Sequence, residues 1–192
     1  MRTFLILVLS PLCAGLLAGN VLAREVAGVN LPETITLQGD STPLMLNGAG
    51  IRSKFIFDIY VGALYLPARA TTVEAILAEP GPKRVRMHFL YKEVSKDKLT
   101  DGWREGLENN LDETRFQRLA PTLEQFNALF RTVREGDVID IDYLPGTGTR
   151  VWINRKLQGT VDDPRFYPAL LLVWLGEDPA DADLKDGMLG HD

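Results

Sequence analysis

Arg52 is the residue of this chain whose type and setting most invite chemistry. It follows Gly48-Ala49-Gly50 and precedes an aromatic and β-branched run, Phe55-Ile-Phe-Asp-Ile-Tyr-Val61. A guanidinium fixed at the mouth of an apolar cavity can hold a carboxylate or an enolate-like oxygen by two parallel hydrogen bonds. Tyr60 adds a neutral hydroxyl donor. Trp103 and Trp174, both in helical segments, are candidates to line such a cavity. Plain alternatives stand beside these readings. Arg52 can be a strand-end charge that snorkels or pairs with Asp58, and each tryptophan can be ordinary core. If the site is catalytic, Tyr60 and Tyr91 are the groups able to move a proton beside Arg52.

Other chemistries lack residues. His88 and His191 are the only histidines, one on a strand and one near the C-terminus. No Cys/His or His/carboxylate spacing suits zinc, so no metal site is expected. A Ser-His-Asp arrangement needs one of those two histidines. Gly146-Thr-Gly148 lies in a hairpin turn rather than between a strand and a helix, so no phosphate or dinucleotide cradle and no cofactor is expected.

The elements that must position Arg52 and Tyr60 set a condition. Along one straight strand the eight steps between them, at about 3.3 Å each, span roughly 26 Å. One carboxylate cannot touch both. A turn near Ser53-Lys54, or a strong bulge after Gly50, is required. From Phe55 onward the odd positions Phe55, Phe57, Ile59, Val61, Ala63 and Tyr65 are apolar or aromatic, which predicts one buried face, while Lys54, Asp58 and Tyr60 mark a mixed one.

Elsewhere the patterns predict short strands over Thr34–Leu37 and Thr42–Leu46, and a strand over Arg84–Tyr91. Thr71 with Glu74, and Thr122 with Gln125, read as capping boxes that open helices. Ser95 caps a helix in which Leu99, Trp103, Leu107 and Leu111 recur every four residues. Val138–Leu144 and Thr149–Asn154 form a hairpin, and a second turn follows over Asn154–Gly159. Asp163-Pro164 opens a last apolar helix that ends at Gly176. This order predicts an α+β fold: an open-faced antiparallel β-sheet with a layer of helices on one face.

The ends and the charge set the compartment. Residues 1–23 have one basic residue, an apolar stretch broken by Pro11 and Gly15, and Val21-Leu22-Ala23 at a cleavage position. That is the order of a signal peptide, so the protein is expected to be exported, most simply to the periplasm. Cleavage removes Cys13, the only cysteine, and leaves 169 residues with 20 basic and 26 acidic side chains, net −6. That balance argues against a nucleic-acid partner, and no later segment is long and apolar enough to span a bilayer. The expected division is a signal peptide at 1–23, one domain at 24–176, and an acidic, mobile tail at 177–192.

Asn47-Gly-Ala-Gly-Ile-Arg52 followed by Tyr60-Val-Gly-Ala-Leu-Tyr65 resembles the chalcone isomerase family, in its bacterial chalcone isomerase-like branch. Lys98-Leu-Thr100 and Gly159-Thr-Val161 are further echoes. The resemblance implies the same open antiparallel sheet with a helix layer. It also implies that Arg52 stands where the plant enzymes carry their arginine, and Tyr60 where they carry a threonine. The family's catalytic tyrosine, asparagine and late hydroxyl fall near Ser95, Gly102 and Val173, so of that set only the arginine survives. Non-catalytic plant relatives bind fatty acids with an arginine and a tyrosine on the carboxylate, which Arg52 and Tyr60 resemble. The expectation is an exported, non-catalytic protein that binds a fatty acid or similar amphipathic carboxylate, with Arg52, Tyr60, Trp103 and Trp174 at the site. The alternatives are an isomerase or intramolecular lyase using Arg52 on an oxyanion, and a scaffold or partner-binding protein with a vestigial pocket. A filled core behind Arg52 favours the last.

Overall fold

The structure is a computed structural model and describes residues 23–191; the expected signal peptide, apart from Ala23, lies outside the described residues. Seven antiparallel strands form one sheet. Across it they run β11 (Lys156–Val161), β10 (Gly148–Ile153), β9 (Val138–Leu144), β6 (Lys83–Phe89), β5 (Phe57–Leu66), β4 (Pro43–Lys54) and β3 (Thr34–Thr36). Two small two-stranded pairs stand apart: β1 (Ala23–Val26) with β2 (Val29–Pro32), and β7 (Glu93–Val94) with β8 (Val133–Arg134). The helices are α1 (Val73–Ala78), α2 (Lys96–Asn110), α3 (Glu113–Asn127), α4 (Phe166–Leu175) and α5 (Ala182–Leu189).

The main core lies between one sheet face and the helices. Tyr60, Leu64, Val85, Met87, Phe89, Ile139 and Ile141 meet Leu99, Trp103 and Leu107 of α2, Leu123 and Phe126 of α3, and the apolar α4. Alternation in the strands and four-residue recurrence in α2 bring these side chains to one layer. Parity along β5 differs from the pattern in the sequence. The even positions Tyr60, Leu64 and Leu66 face the helices, and the odd positions Val61, Ala63 and Tyr65 enter a second, smaller cluster on the far face. There Val29 and Leu31 of β2 and Leu44 and Leu46 of β4 cover them, so both faces of β5 are buried beyond Ile59. Phe55 and Phe57, expected inside, stand out at the hairpin tip.

That far face also holds charge. Arg84 Nε and Nη2 donate to Asp142 at 2.6 and 2.9 Å, and Arg86 Nε and Nη2 donate to Asp140 at 2.7 and 2.9 Å. Arg150 lies 3.5 Å from Asp142 and donates from Nη1 to the Gln38 carbonyl at 2.7 Å. Burial pushes the nearby Tyr65 hydroxyl up to about 12, although Arg86 and Arg84 act the other way.

Three boundaries depart from the sequence patterns. Thr72, not Thr71, caps α1, its hydroxyl accepting from Ala75 N–H at 3.3 Å. The helix expected from Thr122 begins at Glu113, where Asp112 accepts from Arg115 N–H at 2.9 Å. Pro121 sits inside that helix and removes one of its hydrogen bonds. Burial of Phe116, Leu119, Leu123 and Phe126 along one face outweighs the loss. Thr122 is therefore mid-helix, and its hydroxyl donates to Asp163 at 3.1 Å.

The third departure is the tail. Residues 177–192 were expected to be mobile, yet they carry α5, capped by Asp181 and closed by Gly190 at φ +74°. Leu184, Met188 and Leu189 are buried in the main core. The acidic composition hides this because the apolar face is only three residues wide. The Gly48-Ala-Gly50 segment is the bed on which α5 lies. A Cβ on Gly48 would overlap the Gly187 carbonyl, and one on Gly187 would sit 2.6 Å from the Ala49 carbonyl. Asn47 fastens the contact, donating to the Met188 carbonyl at 2.8 Å and to the Ala70 carbonyl at 2.9 Å.

Candidate functional site

The condition set by Arg52 and Tyr60 is met by the β4–β5 hairpin. The chain reverses at Phe55-Ile56, two residues later than Ser53-Lys54, and the register places Arg52 directly across from Tyr60. The pairing shifts between Arg52 and Ser53, an irregularity that turns the end of the hairpin. The Arg52 Cζ lies 5.7 Å from the Tyr60 ring centroid, a cation–π contact.

The two readings of Arg52 can now be separated. Asp58, its suggested partner, instead accepts from Ser53 Oγ at 2.8 Å. Asp181 is likewise engaged, accepting from Ser53 N–H at 2.9 Å. The Arg52 Nε is buried and has no hydrogen-bond acceptor among the described residues. Leaving a desolvated donor of a cationic group unpaired costs stability, because water's hydrogen bonds are lost without replacement.

Tyr60 is 3 % exposed and its ring packs on Phe89 at 5.6 Å. Its hydroxyl oxygen accepts from Trp174 Nε1 at 2.9 Å. Burial raises its pKa above the ordinary tyrosine value, and the Arg52 charge opposes that rise. The group therefore stays protonated at neutral pH and keeps a proton to donate. Trp174 lies 5.6 Å from Trp103, which also packs on Phe126 and Phe130 at 6.0 and 5.5 Å. Trp103 Nε1 is buried with no acceptor among the described residues.

The four residues singled out in the sequence thus form one chain, from Arg52 over Tyr60 to Trp174 and Trp103. Arg52, Tyr60 and Trp103 line a small, partly open cavity of about 40 Å³, with Met87, Leu99 and Val173 in its wall. Trp174 stands behind Tyr60 and supports its hydroxyl rather than lining the space. Arg52 also borders an outer groove of about 310 Å³, between the end of β4, Gly102 and Glu105 of α2, and Asp178–Ala180. The inner space admits a water or two; ligand sites for drug-sized molecules are of order 300–1,000 Å³.

Sequence reasoning missed one residue. Lys98 reaches the cavity mouth beside Gly102, one helical turn away on α2, and supplies a second cation. Its signal was the i, i+4 relation of Lys98 to Gly102 and of Leu99 to Trp103, all four of which border the cavity. Gly102 and Val173, positions the family resemblance matched to polar groups, bring no polar side chain to it. Ser95 serves as the cap of α2, accepting from Lys98 N–H at 3.2 Å. Tyr91 packs edge-on against Phe57 at 5.5 Å and does not border the cavity. Among the described residues no group of three or more His, Cys, Asp or Glu is placed to hold a metal ion, and no helix is long and apolar enough to cross a membrane.

Comparisons with known proteins fit this geometry. A family model described as chalcone isomerase-like matches residues 23–190. The crystal structure of a fatty-acid binding protein from Arabidopsis thaliana superposes with a TM-score of 0.67 at 18% sequence identity, covering 88% of this chain and 96% of that one. At that identity the likeness is one of fold. No curated protein matches the sequence significantly.

Proposed function

This chain belongs to the chalcone isomerase-like family, and from that premise we propose that it is a non-catalytic binding protein for a fatty acid or similar amphipathic carboxylate. Arg52 takes the head group. The observation that carries this reading is the unpaired guanidinium, buried at Nε and without a carboxylate partner among the described residues. An incoming carboxylate supplies the missing acceptor. The Tyr60 hydroxyl already accepts from Trp174, so its own proton is available to the same carboxylate. Lys98 adds charge at the mouth. The Arabidopsis thaliana structural neighbour is a fatty-acid binding protein by its name; extending that ligand class to this chain is our reading.

Catalysis has little to work with. Lyase or isomerase chemistry beside Arg52 needs a proton acceptor. Tyr60 is held protonated by burial and Tyr91 is turned onto Phe57. Chalcone substrates are therefore expected to show no turnover above the uncatalysed rate.

The small inner cavity adds a requirement. An acyl tail enters only if α2 moves away from the sheet, shifting Leu99 and Trp103. The order of residues 1–23 supports export to the periplasm as the setting, where N-terminal sequencing of the envelope-fraction protein is expected to begin at Arg24. Native mass spectrometry of that protein is the direct test. Co-purified long-chain carboxylate in the wild type and its loss in Arg52→Ala are expected. A bare wild-type mass, with no binding difference for Arg52→Ala when fatty acid is added, overturns the proposal.

The filled volume behind Arg52 favours a second reading, a partner-binding protein with a vestigial pocket. The two diverge in Trp103 and Trp174 fluorescence. Ligand entry shifts their emission, whereas a vestigial pocket leaves it unchanged at saturating fatty acid.

A further inference from the structure

The tip of the β4–β5 hairpin presents three consecutive large apolar side chains to solvent: Phe55 at 92 % exposure, Ile56 at 87 % and Phe57 at 49 %. They make up most of the exposed large hydrophobics of the described residues, which otherwise include only Met45 and Leu157. The exposure is built into the hairpin. Phe55 adopts φ +59°, a left-handed conformation that is an outlier for a bulky residue. Below the tip, Ser53 is tied to Asp181 and Asp58, and Phe57 rests on Tyr91. Strained backbone that rigid neighbours hold in place points to a selected use of the tip.

We infer that Phe55, Ile56 and Phe57 insert into the interfacial layer of a lipid bilayer. Area argues against a second copy of the chain as the occupant. At 92 %, 87 % and 49 % exposure, three such side chains of about 150–250 Å² each offer roughly 350–550 Å² of apolar surface, well short of the ~800 Å² per partner that a stable protein interface uses. A bilayer sets no such threshold, since apolar side chains gain by reaching the acyl boundary one at a time. Lys54 flanks the tip, its amine suited to the head-group level. The remainder of the exported chain is net acidic, so insertion is driven by apolar burial more than by charge, and neutral vesicles should serve nearly as well as anionic ones. Arg52 lies three residues from the tip, roughly 10 Å along the strand, which matches the ~5–10 Å depth of interfacial insertion. Docking therefore brings the mouth of the Arg52 groove to the membrane surface; this consequence, unlike the insertion itself, rests on the ligand proposed above.

The test uses the processed chain that begins at Arg24, which has no cysteine of its own, with Ile56→Cys labelled with nitrobenzoxadiazole, and a control labelled at Lys156→Cys on the far edge of the sheet. On adding phosphatidylcholine vesicles, with or without phosphatidylglycerol, the label at 56 is expected to shift to the blue and brighten several-fold while the control stays unchanged. In sedimentation, Phe55→Asn/Ile56→Ser is expected to bind vesicles at least tenfold more weakly at an unchanged melting temperature; asparagine tolerates the left-handed backbone. No change at position 56, or an equal change at the control, overturns the inference. So does a wild-type dimer in lipid-free solution that the tip variant dissolves. Arg52→Ala separates the two proposals: it should keep vesicle insertion while losing the carboxylate.

Discussion

The two faces of the sheet treat arginine in opposite ways. On the far face Arg84 and Arg86 are each held by an aspartate through two hydrogen bonds, and Arg150 lies 3.5 Å from Asp142 as an ion pair, its buried Nε and Nη2 making no hydrogen bond among the described residues. On the helix face Arg52 has an aromatic ring and, among the described residues, no acid partner. The side chains are chemically identical, so the difference lies in the register. β6 and β9 align Arg84 with Asp142 and Arg86 with Asp140, whereas β4 and β5 align Arg52 with Tyr60. A guanidinium with a matched carboxylate is a structural cross-link. One whose neighbour is a neutral donor remains open to an external anion. Removing a partner on the far face should therefore damage the fold, and removing Arg52 should damage binding.

The largest expected effect comes from breaking the paired side. Asp142→Asn leaves Arg84 and Arg150 short of an anion in a buried setting and should lower unfolding stability by about 3–5 kcal/mol in chemical denaturation. A change under 1 kcal/mol would remove the contrast between the faces. Next, Arg52→Ala should weaken binding of a long-chain carboxylate roughly 10–100-fold by calorimetry, as expected for about 1.5–3 kcal/mol of charge-assisted hydrogen bonding. Its denaturation midpoint should move little, since no hydrogen-bond or ion-pair partner among the described residues is orphaned.

Tyr60→Phe tests whether the open side depends on its support. It removes the acceptor of Trp174 Nε1 and should cost about 1–2 kcal/mol of stability. It should weaken carboxylate binding less than Arg52→Ala does. The smallest effect belongs to an intermediate case, Asp163, whose carboxylate takes two hydrogen bonds from the exposed Arg165 at 2.9 and 2.8 Å. That bonding, against an opposing effect of burial, holds its pKa down to about 2. A depressed folded-state value stabilises above the ordinary carboxylate range, so this contribution is complete above about pH 4 and fades as pH falls toward 2. With Arg165 in solvent it should amount to about 1 kcal/mol. Asp163→Asn should flatten that part of the stability–pH curve.

Legibility followed distance in the chain. The helix-face alternation of Val85, Met87 and Phe89, the Ser95 cap and the 138–154 hairpin are local patterns, and each appears close to where it was expected. The extra turns of α3 were hidden because Pro121 and the isolated capping pair at Thr122 both suggested a boundary that tertiary burial overrides. α5 was hidden by its acidic composition. The Gly48–Gly50 segment drew attention for its neighbour Arg52, but its glycines are there to let α5 approach.

By itself, the sequence determined the type of fold, through strand and helix periodicities that act over a few residues, and it singled out the side chains that we propose bind a carboxylate. It also set the condition that a turn must intervene between Arg52 and Tyr60. Only the tertiary structure decided that Arg52 has no acid partner among the described residues, that Tyr60 is held by a tryptophan 114 residues away, and that the space beside them is about 40 Å³. Those outcomes depend on offsets of a few ångströms between elements far apart in the chain, which no local pattern encodes and which packing of the assembled layers sets.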